Sequence, residues 1–124
     1  MPFYRCDSSG LVKRHVDEIG SAWVRAIVDP ASANIVSIAD ITRAEVTSAF
    51  ARRTREGVIT LNFSSAIRCE LTTRCSWLPP VSSINNQSLI AHGLPPLVFV
   101  TADDRLIAAT RGEAVTAENP NLHP

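Results

Sequence analysis

Short apolar runs alternate along the chain with longer segments in which apolar residues recur about every three or four positions. The runs Pro2 to Cys6 and Asn34 to Ala39 have the length and composition of β-strands. A further run, Pro96 to Thr101, is continuously apolar, as strands buried in a parallel sheet are. The segment EAVTAENPN near the C-terminus predicts a final short strand followed by a polar tail.

Helical patterns lie between and after these runs. The sequence Asp7-Ser8-Ser9 is typical of a helix start, and Leu11, Val12 and Val16 after it predict a short helix. The other predicted helices are Gly20 to Val28, Asp40 to about Glu56, a segment that ends at Ser88 to His92, and Asp103 to Arg111. Strands that alternate with helices predict an α/β fold with a mainly parallel central sheet.

Composition narrows the class of protein further. The 124 residues allow one hydrophobic core, and the 12 basic and 12 acidic residues cancel, so the net charge predicts no preference for nucleic acid or an anionic membrane. No apolar run approaches the roughly 20 residues of a membrane span, and the N-terminus lacks a signal-peptide pattern. The 3 cysteines do not form a disulfide framework. We therefore expect a soluble, cytoplasmic protein.

Acidic residues stand where predicted strands give way to helices. Asp7 follows the first strand, Glu45 lies in the early turns of the helix after the second, and Asp103 follows the run PLVFV. Because the carboxyl ends of parallel strands meet at one edge of a sheet, we expect these carboxylates to converge. Clustered carboxylates bind hard cations such as Mg²⁺ or Mn²⁺, and a metal-bound water can attack a phosphate. The pattern therefore favours phosphodiester hydrolysis.

Helix capping offers each acid a purely structural role instead. Asp7 is positioned to cap the first helix. The sequence Thr42-x-x-Glu45 matches a capping box, and Thr101-x-x-Asp104 matches its aspartate variant. The spacing of the residues leaves both interpretations open.

Three segments together resemble the PIN-domain family, and within it the VapC-type toxins of bacterial toxin-antitoxin pairs. They are FYRCDSSGLVKRHVDE, IADITRAEVTSAFARR and LVFVTADDRLIAA, and the resemblance extends over Pro2 to Ile59 and Asn85 to Pro124. It implies a three-layer α/β/α fold and a Mg²⁺- or Mn²⁺-dependent endoribonuclease that hydrolyses RNA. It also implies a homodimer that a VapB-like antitoxin inhibits.

The resemblance also assigns roles to individual residues. By position in the motifs, Asp7, Glu45 and Asp103 correspond to catalytic, metal-binding acids. Ser9 and Thr101 correspond to hydroxyls that support the first and last of these acids. A further supporting neighbour is Asp104.

A basic run lies on the exposed face of the predicted long helix. It consists of Arg52, Arg53 and Arg55. In a ribonuclease these side chains would contact RNA phosphates, whereas in other proteins such a run is a solvated helix face. The sequence leaves both interpretations open.

The chain departs from the family pattern at several places. Arg5 lies in a strand where the family has an apolar residue, and a buried arginine is costly unless it is paired. Gly10 replaces a helix-favouring alanine, which costs about 1 kcal/mol inside a helix. The third acid of the family, in a helical AYDAxxLA pattern, is absent, and the chain is shorter than family members after Thr60.

The stretch AIRCELTTRCSWLPPV, from Ala66 to Val81, has neither helical nor strand periodicity, and its cysteines lack the further ligands of a zinc site.

When Ala66 to Leu78 is written in suitable codons and translated from the third base, it yields HPLRAYDAVQLA, which contains the missing motif. We therefore hypothesise that about Phe63 to Leu78 is translated out of frame, within an atypical segment, about 61–84, of a single PIN-like domain spanning residues 1–124. A coding sequence that cannot give the aspartate codon in the shifted frame removes this hypothesis.

The missing motif bears directly on activity. As written, the chain lacks one ligand and one covering helix, so we expect weak or no nuclease activity. The alternative, from a different class, is a degenerate, non-catalytic PIN module that acts only through an antitoxin or through self-association.

Overall fold

The computed structural model of this protein describes residues 2–58, 60 and 86–124. Its strands are β1 (Phe3–Cys6), β2 (Ile35–Ile38), β3 (Leu97–Val100) and β4 (Thr116–Glu118). Its helices are α1 (Ser8–Val12), α2 (Ser21–Val28), α3 (Asp40–Arg55), α4 (Asn86–Ala91) and α5 (Asp104–Gly112). Short 3-10 helices span Pro30–Ser32 and Pro120–Leu122.

The described strands form one parallel sheet in the order β2-β1-β3-β4. Strand β1 is central, because Cys6 pairs with Ile38 on one side and with Val100 on the other. Apolar runs suit such strands, since a parallel sheet is covered on both faces. The predicted α/β class and the predicted parallel sheet are therefore confirmed.

Helices cover both faces of this sheet. Because side chains alternate along a strand, Tyr4 and Cys6 point to one face and Phe3 to the other. The first face packs against α1, α2 and α3 in the larger core. The buried residues of this core are Cys6, Leu11, Val12, Ile27, Val36, Ile38, Val46, Phe50 and Val100. On the second face Leu89 of α4 packs with Phe3 and Leu97, so the layers are α/β/α as predicted.

Helix α3 illustrates how the sequence pattern produces this packing. Val46 and Phe50, about one helical turn apart, are buried in the larger core, whereas Arg55 is exposed. The chain leaves the helix through Gly57, whose φ of 74° lies in the left-handed region that glycine adopts readily. The predicted helix from Asp40 to about Glu56 is thus confirmed, with Val46 and Phe50 on its buried side as expected.

The C-terminal residues pack back onto the start of α2. Gly20, the residue before this helix, lies so close to Pro120 that an added Cβ would collide with the Pro120 carbonyl oxygen. The imidazole of His123 stacks on Trp23 with ring centroids 4.1 Å apart. Its Nε2 also lies 3.0 Å from a carboxylate oxygen of Glu118. These contacts fix the last residues of the chain against α2.

Two further expectations concern membrane helices and the central segment of the chain. The described helices include none that is both long and apolar enough to cross a membrane. The atypical segment 61–84, with its hypothetical out-of-frame stretch and the place of the missing acid, lies outside the described residues. The single-domain interpretation of residues 1–124 therefore stays a prediction.

The contact between Gly20 and Pro120 can be tested by Gly20→Ala. Gly20 has a φ of 84°, which costs other residues about 1–2 kcal/mol, and the added Cβ also collides with Pro120. We expect this change to lower the free energy of unfolding in urea by about 3 kcal/mol. The matched control is Gly57→Ala, because Gly57 has a φ of 74° with no atom within 4 Å of an added Cβ. Equal losses in both variants would mean that the Pro120 contact contributes nothing.

Candidate functional site

The strand order creates a crevice at the carboxyl ends of β1 and β3. The connection after β1 leads to β2 on one side, whereas the connection after β3 leads to β4 on the other. Adjacent parallel strands whose connections diverge leave a crevice, and open α/β sheets bind ligands there. An open cleft of about 1200 Å³ lies at these strand ends. Its lining includes the predicted acids Asp7, Glu45 and Asp103.

The carboxylate of Asp7 is held from both strand ends. The Gly10 backbone N–H and the Ser9 hydroxyl each donate to Oδ1 at 2.8 Å, and the Thr101 hydroxyl donates to Oδ2 at 2.6 Å. The bond from Gly10 makes Asp7 the N-cap of α1, so the predicted capping role is confirmed. The same carboxylate also lines the cleft, so capping does not exclude a functional role.

Thr101 is completely buried and joins the two strand ends. Its hydroxyl donates to Asp7 and accepts from the Asp103 backbone N–H at 3.1 Å. The Ser9 hydroxyl oxygen accepts from the Ala102 backbone N–H at 2.9 Å. Both predicted supporting hydroxyls are therefore in direct contact with Asp7, and together they tie β1 to the chain beyond β3. Their chemical role stays a prediction.

Gly10 allows α1 to approach the end of β3. A Cβ at this position would lie 2.9 Å from the Val100 carbonyl oxygen, a separation that real Cβ atoms essentially never show. The Asp7 backbone N–H donates to the same Val100 oxygen at 3.2 Å. The description of Gly10 as a helix-weakening departure is therefore incomplete, because only glycine permits this approach without displacement of β3.

Glu45 has no capping role. The N-cap of α3 is Ala39, and the Thr42 backbone N–H donates to its carbonyl oxygen at 3.0 Å. The Thr42-x-x-Glu45 capping box is wrong because the helix begins before Thr42, which places Glu45 in the second turn. Glu45 is exposed on the cleft. Within residues 2–58, 60 and 86–124, no hydrogen bond or ion pair involves its side chain.

Asp103 caps α5 with its own side chain. Its Oδ1 accepts from the Arg105 backbone N–H at 2.9 Å, so the N-cap is Asp103 rather than Thr101, and the Thr101-x-x-Asp104 box is wrong. Asp104 is the first residue of the helix, where the Asn119 side-chain amide lies 3.4 Å from its Oδ1. Asp103 lines the cleft, whereas Asp104 lies outside the lining.

The carboxylate oxygens on this cleft suit Mg²⁺ or Mn²⁺ in their chemistry. In the described part of the chain, however, no group of 3 or more histidine, cysteine, aspartate or glutamate side chains is placed to hold a metal ion. Both oxygens of Asp7 also accept hydrogen bonds from protein donors. The metal-binding roles of Asp7, Glu45 and Asp103 therefore stay predictions.

An ion network forms another part of the cleft wall. The Glu18 carboxylate accepts from the Arg53 guanidinium at 2.9 Å and lies 3.4 Å from the Lys13 ammonium. The Lys13 side chain is only 7% exposed, and its ammonium also donates to the Ile19 carbonyl oxygen at 2.9 Å. Lys13 directly follows α1 and Arg53 lies in α3, so Glu18 ties these two helices together.

Only part of the basic run of α3 lines the cleft. Arg52 and Arg53 line it, whereas Arg55 lies outside the lining and is exposed. Arg53 is already paired with Glu18. Arg55 therefore fits the description of a solvated helix face, and Arg52 keeps the position that a phosphate contact requires.

Sequence patterns do not identify Lys13 or Glu18 as part of this site. Glu18 and Arg53 are 35 residues apart in the chain, and their contact depends on how a loop packs on α3. The local signal, an acid 5 residues after a lysine, is too common to indicate an ion network. Only the fold brings these charges together.

The chain was also compared with known proteins. No protein-family model matches it, and no curated protein matches it. The PIN-domain resemblance therefore rests on the sequence motifs themselves.

Cys6, directly before Asp7, offers a test of the packing under the site. Burial, and after it the negative charge of Asp7, raise the pKa of the Cys6 thiol to about 12. Because the thiolate is the reactive form, we expect Cys6 to resist iodoacetamide at mildly alkaline pH in the folded protein and to react after unfolding. Mass spectrometry of the Cys6 peptide measures this. Rapid alkylation of the folded protein would contradict the burial of this strand end.

The lowered pKa of Glu18 predicts that the fold becomes less stable in acid. Burial alone would raise the pKa of Glu18, but hydrogen bonds and charges from Arg53 and Lys13 together hold this pKa below its ordinary value of 4.5. Such a carboxylate stabilises the fold fully above its ordinary pKa, and the contribution is lost as the pH falls through the lowered value. We expect Glu18→Gln to be less stable than wild type in urea at neutral pH, and the difference to shrink below pH 4.5.

The control for Glu18 is its neighbour Asp17. Asp17 pairs with Arg25 at 2.6 Å, but its side chain is 90% exposed, and such surface pairs contribute little. We expect Asp17→Asn to leave the free energy of unfolding nearly unchanged. A difference between Glu18→Gln and wild type that does not vary with pH would contradict the ion network.

Proposed function

We propose that this protein is a metal-dependent endoribonuclease of the VapC type in the PIN-domain family, which hydrolyses RNA phosphodiester bonds with reduced activity. The observation that carries the proposal is the position of Asp7, Glu45 and Asp103 on one cleft at the carboxyl ends of parallel strands. Ligands of such sheets bind at this edge. Glu45 adds support, because it is exposed there without a capping role.

The residues of the cleft would contribute different parts of the chemistry. Mg²⁺ or Mn²⁺, when bound by Asp7, Glu45 and Asp103, supplies a nucleophilic water and stabilises the leaving oxygen. Ser9 and Thr101 hold the Asp7 carboxylate in one orientation through bonds of 2.8 and 2.6 Å. Such fixed orientation favours catalysis because no reorganisation is needed during the reaction.

The reduced activity is proposed from the number of ligands. The third acid of the family has no counterpart in the sequence as written. The described residues also contain no ready group of 3 metal ligands. Fewer carboxylates bind a divalent cation more weakly, because each supplies both charge and an oxygen ligand.

The partners are proposed from the resemblance alone. They are RNA as the substrate, a VapB-like antitoxin as the inhibitor, and a second copy of the chain in a homodimer. We place this activity in the cytoplasm.

The second candidate function is a degenerate, non-catalytic PIN module that acts only through an antitoxin or through self-association. One observation that favours it is that both Asp7 oxygens already accept bonds from protein donors. Another is that the exposed apolar side chains of Ile41 and Leu106 line the cleft together with the acids. Exposed apolar groups beside a polar cleft suit the burial of a protein segment.

Cleavage of single-stranded RNA with Mn²⁺ tests the enzyme. We expect weak turnover at most, and we expect Glu45→Gln to reduce it about tenfold or more without lowering the melting temperature. The matched control is Glu56→Gln, which changes another exposed glutamate on the cleft, about 16 Å along α3 from Glu45. Vigorous turnover that Asp7→Asn abolishes would contradict the reduced activity. An equal effect of Glu45→Gln and Glu56→Gln would contradict the role of Glu45.

Titration with Mn²⁺ separates the two candidate functions. Binding that disappears in Asp7→Asn supports the enzyme, and the absence of measurable binding supports the non-catalytic module. Asparagine keeps an oxygen that accepts the Gly10 N–H bond, so we expect the variant to fold. Circular dichroism of Asp7→Asn verifies this before the titration.

A further inference from the structure

A half-buried arginine lies in the central strand at the cleft. Arg5 of β1 is paired in register with Ser37 of β2 and with Phe99 of β3. An arginine inside a sheet is costly unless its charge is paired or solvated. Arg5 lines the cleft, which is therefore where its guanidinium can meet water or a ligand.

No acid in the described part of the chain neutralises Arg5. Asp7 follows two residues later on an extended backbone and so lies on the same side of β1, yet its carboxylate is bonded to donors from α1 and from Thr101. No hydrogen bond or ion pair among the described residues involves the Arg5 side chain. The cleft cations Lys13 and Arg53, in contrast, share Glu18. Arg5 is therefore a cation available to a ligand.

Apolar side chains line the same cleft as Arg5. Phe99 is half-buried and occupies the neighbouring strand at the same register, about 4.8 Å away between backbones. Ile41, which is 63% exposed, and Leu106, which is 40% exposed, line the same cleft. A cation and an aromatic ring that line one cleft can together bind single-stranded nucleic acid, because the cation contacts a phosphate while a base stacks on the ring.

We propose that Arg5 binds a phosphate group of single-stranded RNA in this cleft, with an adjoining base against Phe99. This inference deepens the proposed function and rests on it. The guanidinium presents parallel N–H donors that match two phosphate oxygens, which an ammonium group cannot do. The carboxylates of Asp7, Glu45 and Asp103 repel a phosphate, and Arg5 offsets this repulsion at one point of the cleft.

Replacement of Arg5 can separate its effect on RNA binding from its effect on the stability of the fold. An apolar side chain at position 5 would be better suited to a strand of a covered sheet, so we expect Arg5→Met to maintain or raise the melting temperature. The same change removes the phosphate contact and weakens RNA binding. If Arg5 had only a packing role, its replacement would not lower the affinity for RNA while the melting temperature is maintained.

Fluorescence anisotropy with a short, labelled single-stranded RNA tests this contact. The measurement uses the Glu45→Gln chain in EDTA, so that the RNA stays intact. We expect Arg5→Met in this background to weaken binding about tenfold and to reduce the salt slope of the binding constant by about 0.7. Arg5→Lys keeps the positive charge but lacks the parallel N–H donors of the guanidinium, so it should recover only part of the affinity. The matched control, Arg55→Met, removes an exposed arginine outside the cleft and should change affinity by less than about twofold.

Several outcomes overturn the proposal. Equal affinity and equal salt slope for Arg5→Met and its parent do so, as does a parent chain that binds no RNA. A loss of the same size with an oligonucleotide of the same sequence and an uncharged methylphosphonate backbone would assign Arg5 to a base, and would also overturn it.

Cleavage by the wild-type chain with Mn²⁺ reports on the proposed function separately. Turnover in a chain whose RNA affinity does not depend on Arg5 leaves the nuclease and removes the phosphate contact. RNA binding that depends on Arg5 in a chain without turnover leaves the phosphate contact and removes the nuclease. The two failures are therefore distinguishable.

Discussion

The hydrogen bond from the Thr101 hydroxyl to Asp7 is the contact on which the site depends. It joins the ends of β1 and β3 at 2.6 Å across 94 residues of sequence. Thr101 is completely buried, so loss of Asp7 as a partner would remove the shortest hydrogen bond of a buried hydroxyl, which is costly. The Asp7 carboxylate also caps α1. The Asp7 side chain therefore caps the first helix and links the ends of two central strands. The same hydrogen bonds fix the orientation of its carboxylate on the cleft.

Hydrophobic periodicity specifies much of this fold before any contact is known. The apolar run Pro96 to Thr101 contains β3, and the amphipathic pattern from Asp40 contains α3, because burial of apolar side chains is the main force that selects these elements. The placement of acids on one cleft also follows from topology, since residues after parallel strands lie at the same edge of the sheet. The strand order does not follow from local pattern, because it depends on contacts between distant segments.

The finer geometry of the site could not be predicted, because tertiary contacts outweigh local signals. Thr42 and Glu45 have the spacing of a capping box, yet α3 begins before Thr42 and leaves Glu45 on the cleft. Gly10 looks unfavourable in a helix until the carbonyl oxygen of Val100 beside it is known. Arg5 is a cost in the sequence of a strand, whereas in the structure it has an opening beside it. In each case the deciding neighbour is remote in the chain.

The distance in sequence between β1 and β3 also determines when the cleft can form during synthesis. Strand β1 can pair with β2 as soon as the first part of the chain is made, but Asp7 meets its partner hydroxyl only 94 residues later. Such long-range pairings form slowly, because the chain entropy lost on closing a long loop must be overcome first. A nascent chain that ends before β3 keeps the contacts of Asp7 with Ser9 and Gly10 but lacks the Thr101 hydroxyl that holds the second carboxylate oxygen. The cleft is therefore assembled late, and any chemistry it performs begins only after Thr101 has been added.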